Sequence, residues 1–234
     1  MTWLTNSSIG RKVVMSVTGA ALVLFLLFHG SMNLVAIISE EGYNMICEFL
    51  GANWYAIVAT MGLAFLMVVH IFYAFILSIQ NYRARGRERY AVKGRQEGVE
   101  WSSKSMLVLG IIILGFLGVH LYNFWYKMQW VELQVNLGLL PHDAGADAAN
   151  GIKYIKELFA QPIYAGLYLV WLAALWFHLT HGIWSALHSL GLNNTTWMPR
   201  VKMISNIVST LVVLMFASVV VYYFGYSLGA HCAL

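Results

Sequence analysis

Five stretches of this 234-residue chain contain no Asp, Glu, Lys or Arg: 13–39, 49–82, 105–126, 158–199 and 203–234. Each is long enough to cross hydrocarbon, since about 20 apolar residues in a helix span a bilayer. Lipid admits only helices or closed barrels as spanning structures, because backbone N–H and C=O groups find no water there. The strand-period alternation that a barrel needs is missing from the sequence. The expectation is an all-α integral membrane protein, a single membrane domain over 1–234 with five transmembrane helices at approximately 12–38, 54–80, 105–128, 161–189 and 204–228. A composition of 60% hydrophobic and 10% charged residues excludes an ordinary soluble domain. The first apolar run exceeds the h-region of a signal peptide and lacks a small-residue cleavage site, so it reads as a retained span.

The basic residues fix an expected orientation. Arg11 and Lys12 precede span 1; Arg83, Arg85, Arg87, Arg89, Lys93, Arg95 and Lys104 lie between spans 2 and 3; Arg200 and Lys202 lie between spans 4 and 5. These eleven share one side, which the positive-inside rule makes cytoplasmic, with the N-terminus inside and the C-terminus outside. The opposite connections carry Glu40, Glu41, Glu48, Glu132, Asp143, Asp147 and Glu157, with Lys127, Lys153 and Lys156. A net charge of +4 concentrated beside hydrophobic spans points to membrane lipid headgroups or an acidic cytoplasmic partner, and not to nucleic acid. Cys47 and Cys232 both fall near the outer face, and their spacing requires no disulfide, so two free thiols are expected. No CxxCH or CxxC sequence occurs, which excludes covalently attached haem and an iron-sulfur cluster in this chain. Of the outer segment, "LGLLPHDAGADAANG" reads as loop, and "IKYIKELF" reads either as a helix lying flat at the interface or as an extension of span 4.

Eight histidines remain to be explained. His142, His188 and His231 fall in outer loop, inner helix end and tail, where water accounts for them. A single buried histidine is ordinarily a hydrogen-bonded core residue. His29, His70, His120 and His178, however, supply one imidazole from each of spans 1 to 4, while span 5 has none. Ionisable groups inside a membrane are costly, and four so distributed call for a common partner of neutral imidazole. Depth sorts them into pairs. At about 1.5 Å per residue His29 lies about 26 Å along span 1, in the outer half, and His120 reaches a similar level on span 3. Spans 2 and 4 run inward and carry His70 and His178 to the inner half. Two bis-histidine sites stacked across a four-helix bundle are the arrangement expected for two b-type haems.

Glycine placement points the same way. Gly19 precedes His29 by ten residues, and Gly110 precedes His120 by ten. Ten residues is about 15 Å of rise, so each glycine falls at the inner level on a helix whose histidine is at the outer level. There it lets a flat macrocycle approach the backbone or, read singly, aids helix packing. A zinc or di-iron centre would need three or four ligands at one depth, commonly with carboxylates, and the spans hold no Asp or Glu. That lack also disfavours a proton-coupled transporter.

At this level of detail the chain resembles the dihaem cytochrome b membrane-anchor subunits of succinate:quinone oxidoreductases, fumarate reductases included. The resemblance covers nearly the whole length and rests on "SVTG" followed by nine residues and His29, "VHIFYAF" around His70, "GVHLY" around His120, and "PIYAGLYLV" leading to "FHLTHGIW" around His178. It implies haem iron ligated by His29 with His120 (outer) and His70 with His178 (inner), with Ser16, Gly19, Gly110 and His181 in the cofactor surroundings. The family frame has the span 4 ligand four residues before a glycine, an aliphatic and an aromatic, here Gly182, Ile183 and Trp184, which selects His178. His181, about 60 degrees around the helix and one turn nearer the cytoplasm, is left to bond an inner-haem propionate, to pack beside it, or to make an unrelated hydrogen bond.

The resemblance further implies two haem b groups, a quinone substrate expected to be menaquinone, a flavoprotein (FAD) subunit and an iron-sulfur subunit docked on the cytoplasmic face of a bacterial inner membrane, and no dicarboxylate chemistry in this chain. Family members use a carboxylate near the outer end of span 2 at the quinone, for which Glu40, Glu41 and Glu48 are the local candidates. Some fumarate reductases carry a glutamate two residues before the span 4 ligand; here that position is Trp176, which leaves transmembrane proton movement by that route in doubt. The competing readings are a dihaem b subunit of a hydrogenase or formate dehydrogenase, which clusters ligands on one helix, and a haem-free anchor or assembly protein.

Overall fold

The computed structural model describes residues 7–51, 53–84, 101–192 and 194–232. Arg85, Arg87, Arg89, Lys93 and Arg95 lie outside the described residues, as do the side chains of Lys104, His231 and Cys232. Among the described residues the chain is helical, with no strand. Five helices are long and apolar enough to cross a membrane, and the protein is a multi-pass α-helical membrane protein.

The spanning helices are α1 (Ser8–Ile38), α3 (Trp54–Ala84), α4 (Trp101–His120) continued by a π-helical turn (Leu121–Tyr126), α8 (Pro162–Ser189) and α9 (Trp197–Cys232). The outer connections hold the short helices α2 (Glu40–Gly51), α5 (Gln129–Asn136), α6 (His142–Ala148) and α7 (Gly151–Phe159), so that "LGLLPHDAGADAANG", read as loop, contains the helix α6. Local signals explain the boundaries. Ser7 caps α1 by accepting from the Gly10 N–H at 2.9 Å. Ser39 turns extended, ends α1 and accepts from the Gly42 N–H at 3.0 Å, while Glu40 and Glu41 meet the positive end of α2. Asn150 caps α7 by accepting from the Lys153 N–H, and Pro162 occupies the first turn of α8, where its missing N–H costs nothing.

The segment "IKYIKELF" is not an extension of α8. It forms α7, separated from α8 at Ala160 and Gln161, with Ile152, Ile155, Leu158 and Phe159 buried against Ala36, Tyr43, Tyr168, Val219 and Tyr223. An amphipathic nine-residue helix has here found protein instead of lipid for its apolar face.

In the bundle, α3 packs along α1, α1 along α8 and α8 along α4, while α3 and α4 touch only sparsely; α9 lies against the α1 and α8 side. The α8–α9 seam is close because small side chains line it. Ser205 and Ser209 are fully buried; the Ser205 hydroxyl donates to the Thr180 carbonyl at 2.6 Å, and that of Ser209 to the Ser205 carbonyl at 2.7 Å. The outer end of α1 is fastened by Tyr223, whose buried hydroxyl donates to the Ala36 carbonyl at 2.6 Å. Ala36 lies in the last turn of α1, where carbonyls lack a helical partner. Tyr223→Phe is expected to leave that carbonyl unsatisfied and to lower stability by about 1–3 kcal/mol, read as a lower unfolding midpoint in detergent.

Candidate functional site

Four imidazoles lie within the α1–α3–α4–α8 ring at two levels. At the outer level the His29 and His120 rings stand 6.0 Å apart between centroids, at 81° to one another. Aromatic rings surround them: Phe25 stacks on His29 at 5.3 Å, Phe216 of α9 lies 5.5 Å from it, and Phe124, Tyr168 and Trp171 enclose His120. His29 has Asn33 one turn further on. The Asn33 amide donates to the His29 carbonyl at 2.8 Å and lies 3.5 Å from its Nδ1, and the Tyr43 hydroxyl donates to Asn33 Oδ1 at 3.4 Å. The Nδ1 of His120 is buried with no hydrogen-bond partner among the described residues.

At the inner level, the Thr18 hydroxyl of α1 lies 3.2 Å from Nδ1 of His70 on α3. His178 of α8 lies within electrostatic range of His70, and its Nδ1 is likewise buried without a hydrogen-bond partner. The two glycines meet these two rings: a Cβ on Gly19 would come within 3.2 Å of His70 Cε1, and one on Gly110 within 3.9 Å of His178 Cε1. Each glycine, ten residues before an outer histidine on its own helix, thus faces an inner histidine of the neighbouring helix. Ser16 is buried and donates to the Lys12 carbonyl of its own helix at 2.8 Å. His181 is buried edge-on to Trp184 at 4.8 Å, with the Lys202 ammonium over the same indole at 4.9 Å. His188 is exposed, as is His142. Trp176 donates from Nε1 to Thr210 at 3.0 Å and so ties α8 to α9.

These residues can be tested against a metal held by two rings. Half of 6.0 Å is about the sum of a metal–imidazole bond of about 2.0 Å and the roughly 1 Å from ring nitrogen to ring centre. Two axial nitrogens are what a porphyrin iron needs beyond its own four, and the spacing of the His29 and His120 rings fits such a pair.

Several features escaped sequence reading. The backbone leaves α-helical hydrogen bonding immediately after His120, for one π-helical turn that buries Asn123; such turns gather at functional sites. Asn123 donates to the Tyr168 hydroxyl at 3.5 Å and lines a cavity of about 80 Å³ with Lys127, Tyr154, Glu157 and Gln161 at the outer face. A wider recess of about 490 Å³ is lined by Met45, Glu48, Phe49, Asn53 and Asn136. Of the outer carboxylates named from sequence, Glu48 lines that recess and Glu40 pairs with Lys156 at 2.7 Å, an exposed contact of little energetic weight.

Glu132 is the outlier, only 7% exposed, its carboxylate pressed against Gly51 so closely that a Cβ there would clash. Burial, helped by the neighbouring Glu48 charge, pushes it up to about 7. Burial likewise raises the Cys47 thiol to about 11, and Cys47 is free, as the sequence suggested. The sequence matches no known protein-family model, and comparison with curated proteins and with solved structures finds no match.

For Glu132 the folded value lies above the usual 4.5, so the fold prefers the protonated form. The stability this contributes is full below about pH 4.5 and is lost as pH rises through about 7. Unfolding in detergent across that range is expected to show wild type losing on the order of 3 kcal/mol relative to Glu132→Gln, whose side chain does not titrate.

Proposed function

We propose that this chain is the dihaem cytochrome b subunit of a succinate:quinone oxidoreductase, succinate dehydrogenase or fumarate reductase. It anchors a flavoprotein and an iron-sulfur subunit to a bacterial cytoplasmic membrane and links them to quinone. The observation that carries the reading is the two-level arrangement: His29 and His120 face each other 6.0 Å apart, and one helix rise of ten residues below them Gly19 and Gly110 lie against His70 and His178. The motif resemblance supplies the family. The orientation follows from the basic residues, with His70 and His178 on the cytoplasmic side, next to the docked partners, and the outer pair near quinone.

Haem iron held by two imidazoles supplies reversible one-electron transfer without a change of ligands. The protein's own residues do the rest. His29 and His120 hold the outer iron, His70 and His178 the inner. Phe25, Phe216, Phe124, Tyr168 and Trp171 exclude water from the outer pair, which lowers the local dielectric and sharpens the influence of nearby hydrogen bonds on redox potential. Quinone chemistry also moves protons, and the polar outer cavity beside Asn123 and Lys127 gives water a place above Tyr168 and His120. Dicarboxylate chemistry belongs to the partners.

The purified protein is expected to show a dithionite-reduced b-type spectrum and two haems per chain by pyridine haemochrome. His29→Ala or His120→Ala removes the outer haem, and His70→Ala or His178→Ala the inner, each leaving at most one. Two haems retained in His178→Ala with one lost in His181→Ala would reassign the span 4 ligand. A colourless, fully assembled chain would sink the reading, and co-purification of a hydrogenase or formate dehydrogenase in place of a flavoprotein would move it to another quinone-linked complex.

A further inference from the structure

One imidazole of the four is held differently from the rest. His70 reaches across from α3 to a pair of adjacent residues on α1, Thr18 and Gly19. The Thr18 hydroxyl is 2.9 Å from the Val14 carbonyl and 3.1 Å from the Met15 carbonyl, both on its own helix and both able only to accept. Its single proton is therefore engaged by backbone, and toward His70 it presents a lone pair. A lone pair facing Nδ1 favours N–H at that edge of the ring. With the proton on Nδ1, the lone pair is on Nε2, the other side of the ring. Gly19 completes the seat: His70 Cε1, the carbon between the two nitrogens, lies where a Cβ would be crowded at 3.2 Å, so the ring edge rests on bare backbone.

We infer that Thr18 and Gly19 form a seat on α1 that fixes the tautomer and orientation of His70, making Thr18 the positioning residue for the inner ligand and a determinant of its redox potential. The inference rests on the haem reading above for the redox part, and on geometry alone for the tautomer. An acceptor on the distal N–H makes a ligating imidazole more basic and favours oxidised iron. His178 has no such partner at Nδ1, so within the inner pair the effect enters through His70.

The test is a potentiometric titration of the purified full chain, wild type against Thr18→Val and Thr18→Ser, each also in the His29→Ala background so that the inner haem is followed alone. Thr18→Val removes the acceptor and keeps the shape; the inner midpoint is expected to move upward while the outer stays, and Thr18→Ser, which restores the hydroxyl, returns it to wild type. An unmoved inner midpoint in Thr18→Val, or an equal shift in Thr18→Ser, overturns the inference. If Thr18→Val loses the inner haem, Thr18→Ser decides: retention at the wild-type midpoint supports the seat, and loss there too refutes it.

Should the wild type carry no porphyrin, the proposed function fails separately. The seat is then read by ¹⁵N NMR of labelled histidine, with His70 protonated at Nδ1 in wild type and a mixture of tautomers in Thr18→Val; an identical tautomer in both overturns it. Gly19→Ala is expected to disturb the same ring by crowding Cε1, with the Thr18 hydroxyl intact.

Discussion

A ring nitrogen in a dry helical bundle must be given a partner, and the way four imidazoles meet that demand organises this molecule. The partners are unequal. His70 has the Thr18 hydroxyl and His29 has Asn33 beside its Nδ1, while the Nδ1 atoms of His120 and His178 are buried without a hydrogen bond. Each level thus combines one ring tended by a polar side chain with one ring that packing alone orients. Both polar partners come from α1, fifteen residues apart in sequence, about four turns. This helix packs along the two helices that carry His70 and His178.

What holds α1 in place is therefore felt at both levels. Its outer end is fastened by Tyr223 of α9 and its flank lies along α8, while α8 is tied to α9 by the Ser205–Thr180 and Trp176–Thr210 bonds. The fifth span carries no candidate ligand, yet it joins the two helices that carry His29 and His178. The outer cap reaches the same network from above, since Tyr43 of α2 donates to Asn33, and Asn44 of α2 exchanges hydrogen bonds with Asn150 and Ile152 at the start of α7. The cap is thus connected to the His29 backbone through two hydrogen bonds.

Much of this was legible because hydrocarbon reduces a sequence to a simple code. Five charge-free runs correspond to the five helices long and apolar enough to cross a membrane, and Gly19 and Gly110, each ten residues before a histidine, lie against His70 and His178. Illegible features are those fixed by partners distant in sequence. Glu132, one carboxylate among several in the outer connections, reads as solvated, and the structure sets it against Gly51, far from it in sequence. Thr18 looks like any helix threonine until His70, 52 residues away, approaches it. The α7 pattern left an interfacial helix and an extension of span 4 both open; its apolar face is packed by Tyr43 and Tyr168 of other helices, which local sequence does not reveal. The π-helical turn after His120 is a matter of hydrogen-bond register, which composition does not encode.

The helix α3 shows how site and stability are connected. It carries His70, yet none of its most apolar window is buried, against about a third for α9. Its side-chain ties to the rest include Tyr55 with the Phe49 carbonyl of α2 and Thr60 with Gln129 of α5 in its first two turns, and His70 with Thr18 at its middle. An element with so few buried groups opens at low free energy. A ligand gripped by His70 and by a helix across the bundle adds its own binding energy to the closed arrangement and stabilises it by mass action. Under the proposed function, the span least covered by protein is the one that a group bound to His70 would stabilise most.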